Sequence, residues 1–302
     1  YSILTLQNLE MILMKTLDLQ EVSHAKVQIL SDNSVLASSK NILGEHGFSA
    51  LITSERGEVL FDTGQTGRVL INNLNVVKGG EIKIGSVVLS HGHYDHTGGL
   101  LTIVRRGPDK CEIYAHPMAF YRRFKKIRGE IKEIGMPFSK TELEDAGAVL
   151  RLSSEVRLIK GWLLTTGTIE RSNNFERPES EFYIEVDGRL EVDPFLDDQA
   201  IAFNVKGKGT VVVTGCAHSG VVNTLEYVKK ILGGEEVYAV IGGFHLNDAS
   251  QEKLNNTVDA LRAANPRMIV PCHCTGRDAV YLLREEFGSA VIYGDAGLTL
   301  EF

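Results

Sequence analysis

Residues Ser90–Gly99 read SHGHYDHTGG and place three histidines and one aspartate within six consecutive positions. The whole chain has only nine histidines in 302 residues, so this concentration is unusual. The stretch follows the apolar run SVVLS and precedes the helix-like pattern TGGLLTIV. This order predicts a tight turn between a strand and a helix, with several polar side chains pointing into one space.

The spacing inside this turn suits metal binding. His91 and His93 are two residues apart, so in extended backbone their side chains point the same way. Asp95 and His96 fall at the start of the following helix and point back into the same space. Imidazole nitrogens and a carboxylate are ligands for zinc, iron and manganese. Two histidines in one direction and an Asp–His pair in another suit two metals better than one.

Composition sets the class of protein around this motif. Hydrophobic residues make up 43% of the chain and charged residues 24%, which is ordinary for a globular protein with a buried core. The net charge of −7 argues against a general affinity for nucleic acid. The four cysteines lack the spaced pairs of a disulfide framework, so we expect a cytoplasmic protein.

The amino-terminal stretch YSILTLQNLEMILM is apolar but lacks a basic leader and a small-residue cleavage site, so no signal peptide is expected. It is also too short to span a bilayer. The run MKTLDLQEV from Met14 reads like a natural start. Residues 1–13 are therefore either native or an upstream extension, and we expect a single domain over residues 14–302.

Short β-branched runs alternate with helical patterns, which predicts a layered α/β fold. The predicted strands are Lys26–Leu30, Phe48–Thr53, Val59–Phe61, Ser86–Leu89, Glu112–Ala115, Val156–Ile159, Phe182–Val186, Ala200–Val205, Thr210–Val213, Val237–Ile241, Met268–Val270 and Ala290–Tyr293. The predicted helices are 65–75, 96–106, 117–125, 139–146, 220–232, 249–264 and 276–287. Asp248 and Thr275 are the predicted N-caps of the last two helices.

Two metals need further ligands, and we expect these at the ends of other strands. Three runs supply them: VVVTGCAHSG holds Cys216 and His218, AVIGGFHL holds His245, and MIVPCHCTG holds His273 between Cys272 and Cys274. A single histidine after a strand is usually structural, so not all of these bind metal. His218 and His273 rank highest because each lies in a turn that leads into a helix.

The motif HGHYDHTGG resembles the defining motif of the metallo-β-lactamase superfamily, and VLFDTG at Val59–Gly64 resembles the motif that precedes it. The resemblance implies an α/β fold, an αββα sandwich of two mixed β-sheets flanked by helices, with a binuclear metal site at the strand ends. By position it assigns His91 and His93 to the first metal, and Asp95, His96 and His273 to the second. Asp62 would match an aspartate that orients a ligand without binding metal itself, or it is an ordinary turn residue.

The middle of the chain departs from the family pattern. The run LLTTGTIER has Thr168 where the family usually has a histidine, and Thr-Gly-Cys-Ala-His stands where a bridging aspartate is usual. We therefore predict that His218 completes the site. Cys216 occupies the bridging position and is either a thiolate ligand or a small buried residue.

The combination of HGHYDHTGG, TGCAHSG, GGFHL and HCTG resembles a branch of the superfamily named for a dihydropterin–ribofuranosylaminobenzene phosphate synthase. That enzyme joins a dihydropterin diphosphate to an arylamine and releases pyrophosphate. The resemblance implies two divalent metal ions, zinc first, with iron or manganese as alternatives. The first functional hypothesis is a hydrolase that acts on a phosphate-bearing small molecule through metal-activated water. The alternatives are the pterin transfer and a metal-stabilised binding protein without activity.

Other residues suit such a substrate. Asp95 is a candidate proton acceptor, and His245 is either a general acid or a structural residue. Ser219 precedes a predicted helix whose free N–H groups favour an anion, and Arg171 and Arg177 lie in the polar segment ERSNNFERPE. The basic run YRRFKKIRGEIK at 121–132 is more often a solvated face. We expect no nucleic-acid or membrane partner, and the sequence leaves a homo-oligomer open.

Overall fold

The computed structural model describes residues 18–80 and 82–302, so the question of residues 1–13 lies outside it. Strands β1 to β17 are, in order, Ala25–Ser31, Ser49–Ser54, Gly57–Phe61, Ser86–Val88, Cys111–Ala115, Arg123–Ile127, Glu130–Glu133, Ala148–Leu152, Arg157–Ile159, Leu163–Thr165, Phe182–Val186, Arg189–Val192, Ile201–Val205, Gly209–Thr214, Val237–Gly243, Met268–Cys272 and Thr299–Glu301. Helices α1 to α7 are Gly67–Lys78, Tyr94–Thr97, Leu100–Arg106, Lys140–Asp145, Val221–Ile231, Gln251–Ala264 and Arg277–Phe287. Within the described ranges, none of the helices has the length and hydrophobicity needed to cross a lipid bilayer.

Two large mixed sheets form the centre of the fold. The first has seven strands in the order β17-β1-β2-β3-β4-β5-β8, and the second has six in the order β16-β15-β14-β13-β10-β9. In the first sheet β3, β4, β5 and β8 run parallel to one another. In the second, β14, β15 and β16 are parallel. The carboxyl ends of these parallel strands are where the sequence predicts the metal ligands.

Alternation of apolar side chains along the strands builds three hydrophobic layers. In β14, Val211 and Val213 face inward and pack with Phe61 of the first sheet, while Val212 faces outward. The outer layer of the second sheet is covered by α5, α6 and α7, and that of the first by α1, α3 and α4. Successive side chains of a strand point to opposite faces, so one continuous apolar run can serve both layers. This arrangement confirms the predicted αββα sandwich.

A third, smaller antiparallel sheet lies beside the sandwich and was not expected from the sequence. Its strand order is β12-β11-β6-β7. The predicted helix 117–125 is wrong: only Pro117–Phe120 forms a short 3₁₀ turn, and Arg123–Ile127 is strand β6. Pairing with β7 and with β11, more than fifty residues away in the chain, decides this local structure.

Smaller differences concern strand and helix ends. The predicted strand Ala290–Tyr293 forms a 3₁₀ turn at Gly288–Ala290 and then a single bridge from Val291 to Ile269. The predicted strands also omit β6, β7, β8, β10, β12 and β17, each five residues or shorter. Helix α6 is capped by Ser250, whose side chain accepts from the Lys253 amide, and not by Asp248. Helix α7 is capped by Gly276, because the Thr275 hydroxyl donates to the Cys272 carbonyl.

Candidate metal centre

The predicted ligands meet at one edge of the sandwich. His91 and His93 follow β4, Cys216 and His218 follow β14, His245 follows β15, and His273 follows β16. Carboxyl ends of parallel strands share an edge, and turns leaving them bring polar side chains into one crevice. Residues as far apart in sequence as His91 and His273 are in this way brought to the same edge.

One group of ligand atoms consists of three histidines. The ligand nitrogens of His91, His93 and His218 lie within 4.8 Å of one another. Their Nε2 atoms are buried, and none has a hydrogen-bond partner within residues 18–80 and 82–302. Burial lowers the pKa of all three rings well below the usual range, so each presents a neutral imidazole. Buried polar atoms are rarely left unpaired, and three convergent imidazole nitrogens fit a divalent metal ion.

A second group adjoins the first and contains a carboxylate. The Asp95 Oδ2 atom lies 3.3 Å from His273 Nε2, 3.8 Å from His96 Nε2 and 3.1 Å from His46 Nε2. Burial raises the pKa of Asp95, but the neighbouring histidines outweigh it and hold that pKa well below its usual range. The group is therefore an anionic carboxylate surrounded by imidazoles. His46 was not among the predicted ligands, because it lies in a loop before β2 and follows no strand.

Cys216 lies between the two groups. Its Sγ atom is 3.1 Å from His96 Nε2 and belongs to clusters with His91 and His96, with His273 and Cys274, and with His218 and His245. The residue is 4% exposed. The position is the central one that a bridging ligand would need, and the choice between ligand and small buried residue stays a prediction.

Hydrogen bonds fix the orientation of the imidazole rings. Asp62 Oδ2 lies 2.7 Å from His96 Nδ1 and accepts from the Ser90 hydroxyl, which lies 2.8 Å from His91 Nδ1. Asn33 Oδ1 lies 2.9 Å from His273 Nδ1. Each contact holds the Nδ1 side of a ring and turns Nε2 towards the site. Asp62 occupies the predicted orienting position, whereas Ser90 and Asn33 carry no sequence signal of this role.

Replacing Asp62 by alanine is expected to lower zinc affinity by about 10- to 100-fold, because the His96 ring loses the partner that orients it. Competition with a chromophoric chelator measures this. Asp109→Asn is a suitable control, since Asp109 is exposed and precedes β5, at the amino-terminal end of that strand. If Asp62→Ala binds zinc with unchanged affinity, Asp62 is an ordinary turn residue that does not orient a ligand.

The backbone around the site is held in uncommon conformations. Asp62, Ala217, His245 and His273 have positive φ values of 56°, 55°, 49° and 47°. Non-glycine residues pay a conformational penalty in this left-handed region, and such residues cluster at functional sites. Among these four, His245 and His273 line the cleft and Asp62 contacts His96, so three of the strained positions place side chains of the site.

The ligands lie at the floor of a cleft of about 1710 Å³. Its lining includes His93, Asp95, His218, His245 and His273. His245 Nε2 lies 3.2 Å from Glu179 Oε1. Burial lowers the pKa of His245, but its contacts with Cys274 and Glu179 outweigh burial and raise that pKa to about 9. Glu179 was not predicted and has no distinctive sequence context.

The three predicted substrate residues differ in position. Arg177 lines the cleft. Arg171 is not among the lining residues, and its guanidinium donates to the Pro194 carbonyl at 2.9 Å. Ser219 is also absent from the lining, and its amide donates to Asp198 Oδ2 at 2.7 Å.

The amino-terminal end of α5 was expected to favour an anionic group of the substrate. A carboxylate of the protein itself already occupies this place. The amides of Val222 and Asn223 donate to the two carboxylate oxygens of Glu176, at 2.9 and 2.8 Å. A carboxylate at this end of a helix is favourable for the same reason as a phosphate would be. The structure thus places Arg171 and Ser219 in the scaffold behind His218 and leaves Arg177 at the cleft.

Comparisons with known proteins agree with this geometry. The family model of the metallo-beta-lactamase superfamily matches residues 43–273. The chain is 32% identical over 299 residues to the 7,8-dihydropterin-6-methyl-4-(beta-D-ribofuranosyl)-aminobenzene-5'-phosphate synthase of Methanocaldococcus jannaschii, covering 95% of this chain and 99% of that protein. It is 33% identical over 276 residues to an uncharacterized protein of the same organism, covering 90% of this chain and 98% of that one.

A solved structure shows the same architecture. The crystal structure of Tm1679, described as a metal-dependent hydrolase of the beta-lactamase superfamily, matches with a TM-score of 0.78 and 29% identity. The match covers 92% of this chain and 99% of that chain. The likeness therefore extends over nearly the whole described fold.

Proposed function

The chain belongs to the metallo-beta-lactamase superfamily, and we propose that it is an enzyme with two divalent ions, zinc in the first instance, that hydrolyses a phosphate-bearing small molecule. The observation that carries the proposal is the set of three buried, unpartnered Nε2 atoms beside an anionic carboxylate. His91, His93 and His218 would hold one ion, and Asp95, His96 and His273 the other, with Cys216 between them. A pair of divalent ions supplies polarisation of phosphoryl oxygens and activation of water.

The residues around the ions would bind and orient the substrate. The cleft is larger than the 300 to 1,000 Å³ common for small-molecule sites, so it accommodates more than a simple phosphate ester. Four cationic residues line it among seven carboxylates: Lys125, Arg177, Lys253 and Arg277, of which Lys125 is paired with Glu181 at 2.8 Å. Phe175, Tyr281 and Tyr293 add aromatic surface. This mixture suits a ligand with both a phosphate group and an aromatic ring.

His245 is placed to act on the leaving group. Its ring centroid lies 4.3 Å from that of His218, and its Nε2 is held by Glu179. The Nδ1 atom is buried, with no hydrogen-bond partner in the part of the chain that the structure describes. Glu179 would fix the ring while the other nitrogen donates a proton to a departing oxygen.

Replacing His245 by glutamine is expected to lower kcat by about 10²-fold, as for the loss of a general acid, while both metal ions stay bound. Elemental analysis and steady-state kinetics on the same preparation separate the two effects. Glu179→Gln should reproduce part of the loss, since it weakens the hold on the ring. Loss of a metal ion in His245→Gln would instead make His245 a ligand.

A second candidate function is supported by the archaeal relative. A protein 32% identical over almost its full length is named as a pterin synthase, which matches the branch resemblance of the sequence motifs. In this reaction the same ligands would hold the ions that bind the diphosphate leaving group. An arylamine would replace water as the nucleophile. The aromatic surface of Tyr281 and Tyr293 would then face a pterin or aryl ring.

One assay tests both functions. Zinc-loaded protein is incubated with a dihydropterin diphosphate, with and without an arylamine, and separately with a chromogenic phosphodiester; phosphate, pyrophosphate and the released chromophore are quantified. Turnover that needs no amine supports the hydrolase, and pyrophosphate release that requires the amine supports the synthase. The His93→Ala variant, which loses a predicted ligand, controls for contaminating activity. Bound metal without any turnover would point to the binding protein.

A further inference from the structure

Two cysteine thiols converge beside the second group of ligands. The Sγ atoms of Cys216 and Cys274 and a ring nitrogen of His273 lie within 4.8 Å of one another. Cys216 follows β14 and Cys274 follows β16, so the strand β15 lies between them in the sheet. Their approach therefore needs an explanation in the intervening strand.

The explanation is Gly243, the last residue of β15. A Cβ atom at this position would lie 2.6 Å from Cys274 Sγ and 3.2 Å from Cys216 Cα. Both distances are too short for a side chain to be accommodated without displacement of the cysteines. Because glycine has no Cβ, the two cysteines meet above the end of β15.

The surroundings of the two sulfurs contain other metal ligands. Cys216 Sγ is 3.1 Å from His96 Nε2, and His273 Nε2 is 3.3 Å from Asp95 Oδ2. Cys274 Sγ contacts His245, and it also lies 3.5 Å from the Cys216 carbonyl, which is a long contact. A thiol is a weak hydrogen-bond donor, so this contact gives little reason for a second cysteine here. Two sulfurs with imidazole nitrogens are, however, a preferred set for zinc.

We propose that Cys216 and Cys274 both bind the ion held by Asp95 and His273, so that this position has two sulfur ligands. The inference rests on the proposed two-metal function and specifies which ions the second position accepts. Thiolate ligands favour zinc, cobalt or iron(II), whereas manganese and magnesium favour oxygen ligands. The second position is therefore selective for thiophilic ions, and manganese does not replace zinc there.

Cobalt(II) titration tests the proposal without any substrate. The wild-type protein should bind two cobalt ions per chain and develop a near-ultraviolet sulfur-to-cobalt charge-transfer band. Cys274→Ala should lose part of the band, and Cys216→Ala/Cys274→Ala should lose the band and one of the two ions. Cys111→Ala is the matched control, since Cys111 is buried with its thiol directed to the Ile84 carbonyl, and it should keep both. An excess of manganese should leave the band intact.

The proposal is overturned if the wild-type protein binds two cobalt ions without the band, a result that does not depend on whether any variant folds. It is equally overturned if the double variant keeps both ions at wild-type affinity. Failure of the proposed function is distinguishable: the band would be present while no phosphate compound is turned over. Cys274→Ser keeps the size of the side chain and should reproduce the loss seen with Cys274→Ala.

Discussion

His218→Ala is expected to remove one metal ion and to lower kcat/KM by three to four orders of magnitude. His218 supplies one of three convergent nitrogens, and its ring stacks on Phe195 with centroids 4.0 Å apart. Metal polarisation contributes several kcal/mol to a transition state, so we take about 5 kcal/mol for its loss. Each 1.36 kcal/mol corresponds to a tenfold change in rate, which gives the stated range.

The measurement combines metal content by elemental analysis with kinetics on the substrate found in the assay above. His116→Ala is the matched control: His116 is also buried, but it caps a 3₁₀ turn by accepting from the Met118 amide and contacts Thr168. It should keep two ions and near-normal turnover. If His218→Ala keeps two ions and normal turnover, His218 is not a metal ligand.

The choice of His218 shows what a sequence can predict about this site. The spacing of His91, His93, Asp95 and His96 restricts them to one turn, so their proximity follows from local geometry alone. His218 could be ranked because it lies in the turn between a strand that ends at Thr214 and a helix that begins at Val221. Thr168, which stands at the family's usual histidine position, contacts His116 and is absent from the cleft lining. The group of His91, His93 and His218 therefore forms without it.

Other parts of the site depend on contacts that only the folded chain creates. Asn33 and His273 are 240 residues apart, and nothing in either local sequence marks them as partners. Glu179 is likewise placed by the loop after β10, and the approach of Cys274 to Cys216 depends on the absence of a side chain at Gly243. Pattern reasoning locates strand ends, and residues brought to those ends by long-range packing carry no local signal.

Helix 117–125 was predicted with the wrong type of secondary structure, as was the strand Ala290–Tyr293. The run YRRFKKIRGEIK has basic residues at both helical and strand spacing, so its periodicity does not decide between them. Strand pairing decides the structure, and the fully buried Arg123 is ion-paired with Asp193 and Asp197, about 70 residues later. The expected solvated basic face is therefore correct for Arg122 but not for Arg123.

Arg123→Leu is expected to lower the free energy of unfolding by about 3–5 kcal/mol, because it leaves two buried carboxylates without their cation. Arg123 Nε lies 2.8 Å from Asp193 Oδ2, and Nη2 lies 2.6 Å from Asp197 Oδ1. All three side chains are at most 1% exposed. Domains are commonly stable by only about 5–15 kcal/mol, so the loss would be a large fraction of the total.

The neighbouring residue provides the control for this experiment. Arg122 pairs with Glu133 and Glu185 at 2.8 and 2.9 Å, but its side chain is 56% exposed. Exposed ion pairs contribute little, so Arg122→Leu should leave the denaturation midpoint almost unchanged. Equal effects of the two substitutions would mean that the buried network does not stabilise the fold.

Arg123 should also affect the metal centre, through Gly92. Asp197 Oδ2 accepts from the Gly92 amide at 2.9 Å, between the ligands His91 and His93. A Cβ at Gly92 would lie 2.7 Å from Arg123 Nη1, so the guanidinium and the ligand turn are in close contact. Arg123→Lys retains the charge but not the planar fork that reaches both carboxylates. We therefore expect Arg123→Lys to be more stable than Arg123→Leu in denaturant titration, yet to bind zinc more weakly than the wild type, because the turn holding His91 and His93 is no longer fixed from behind.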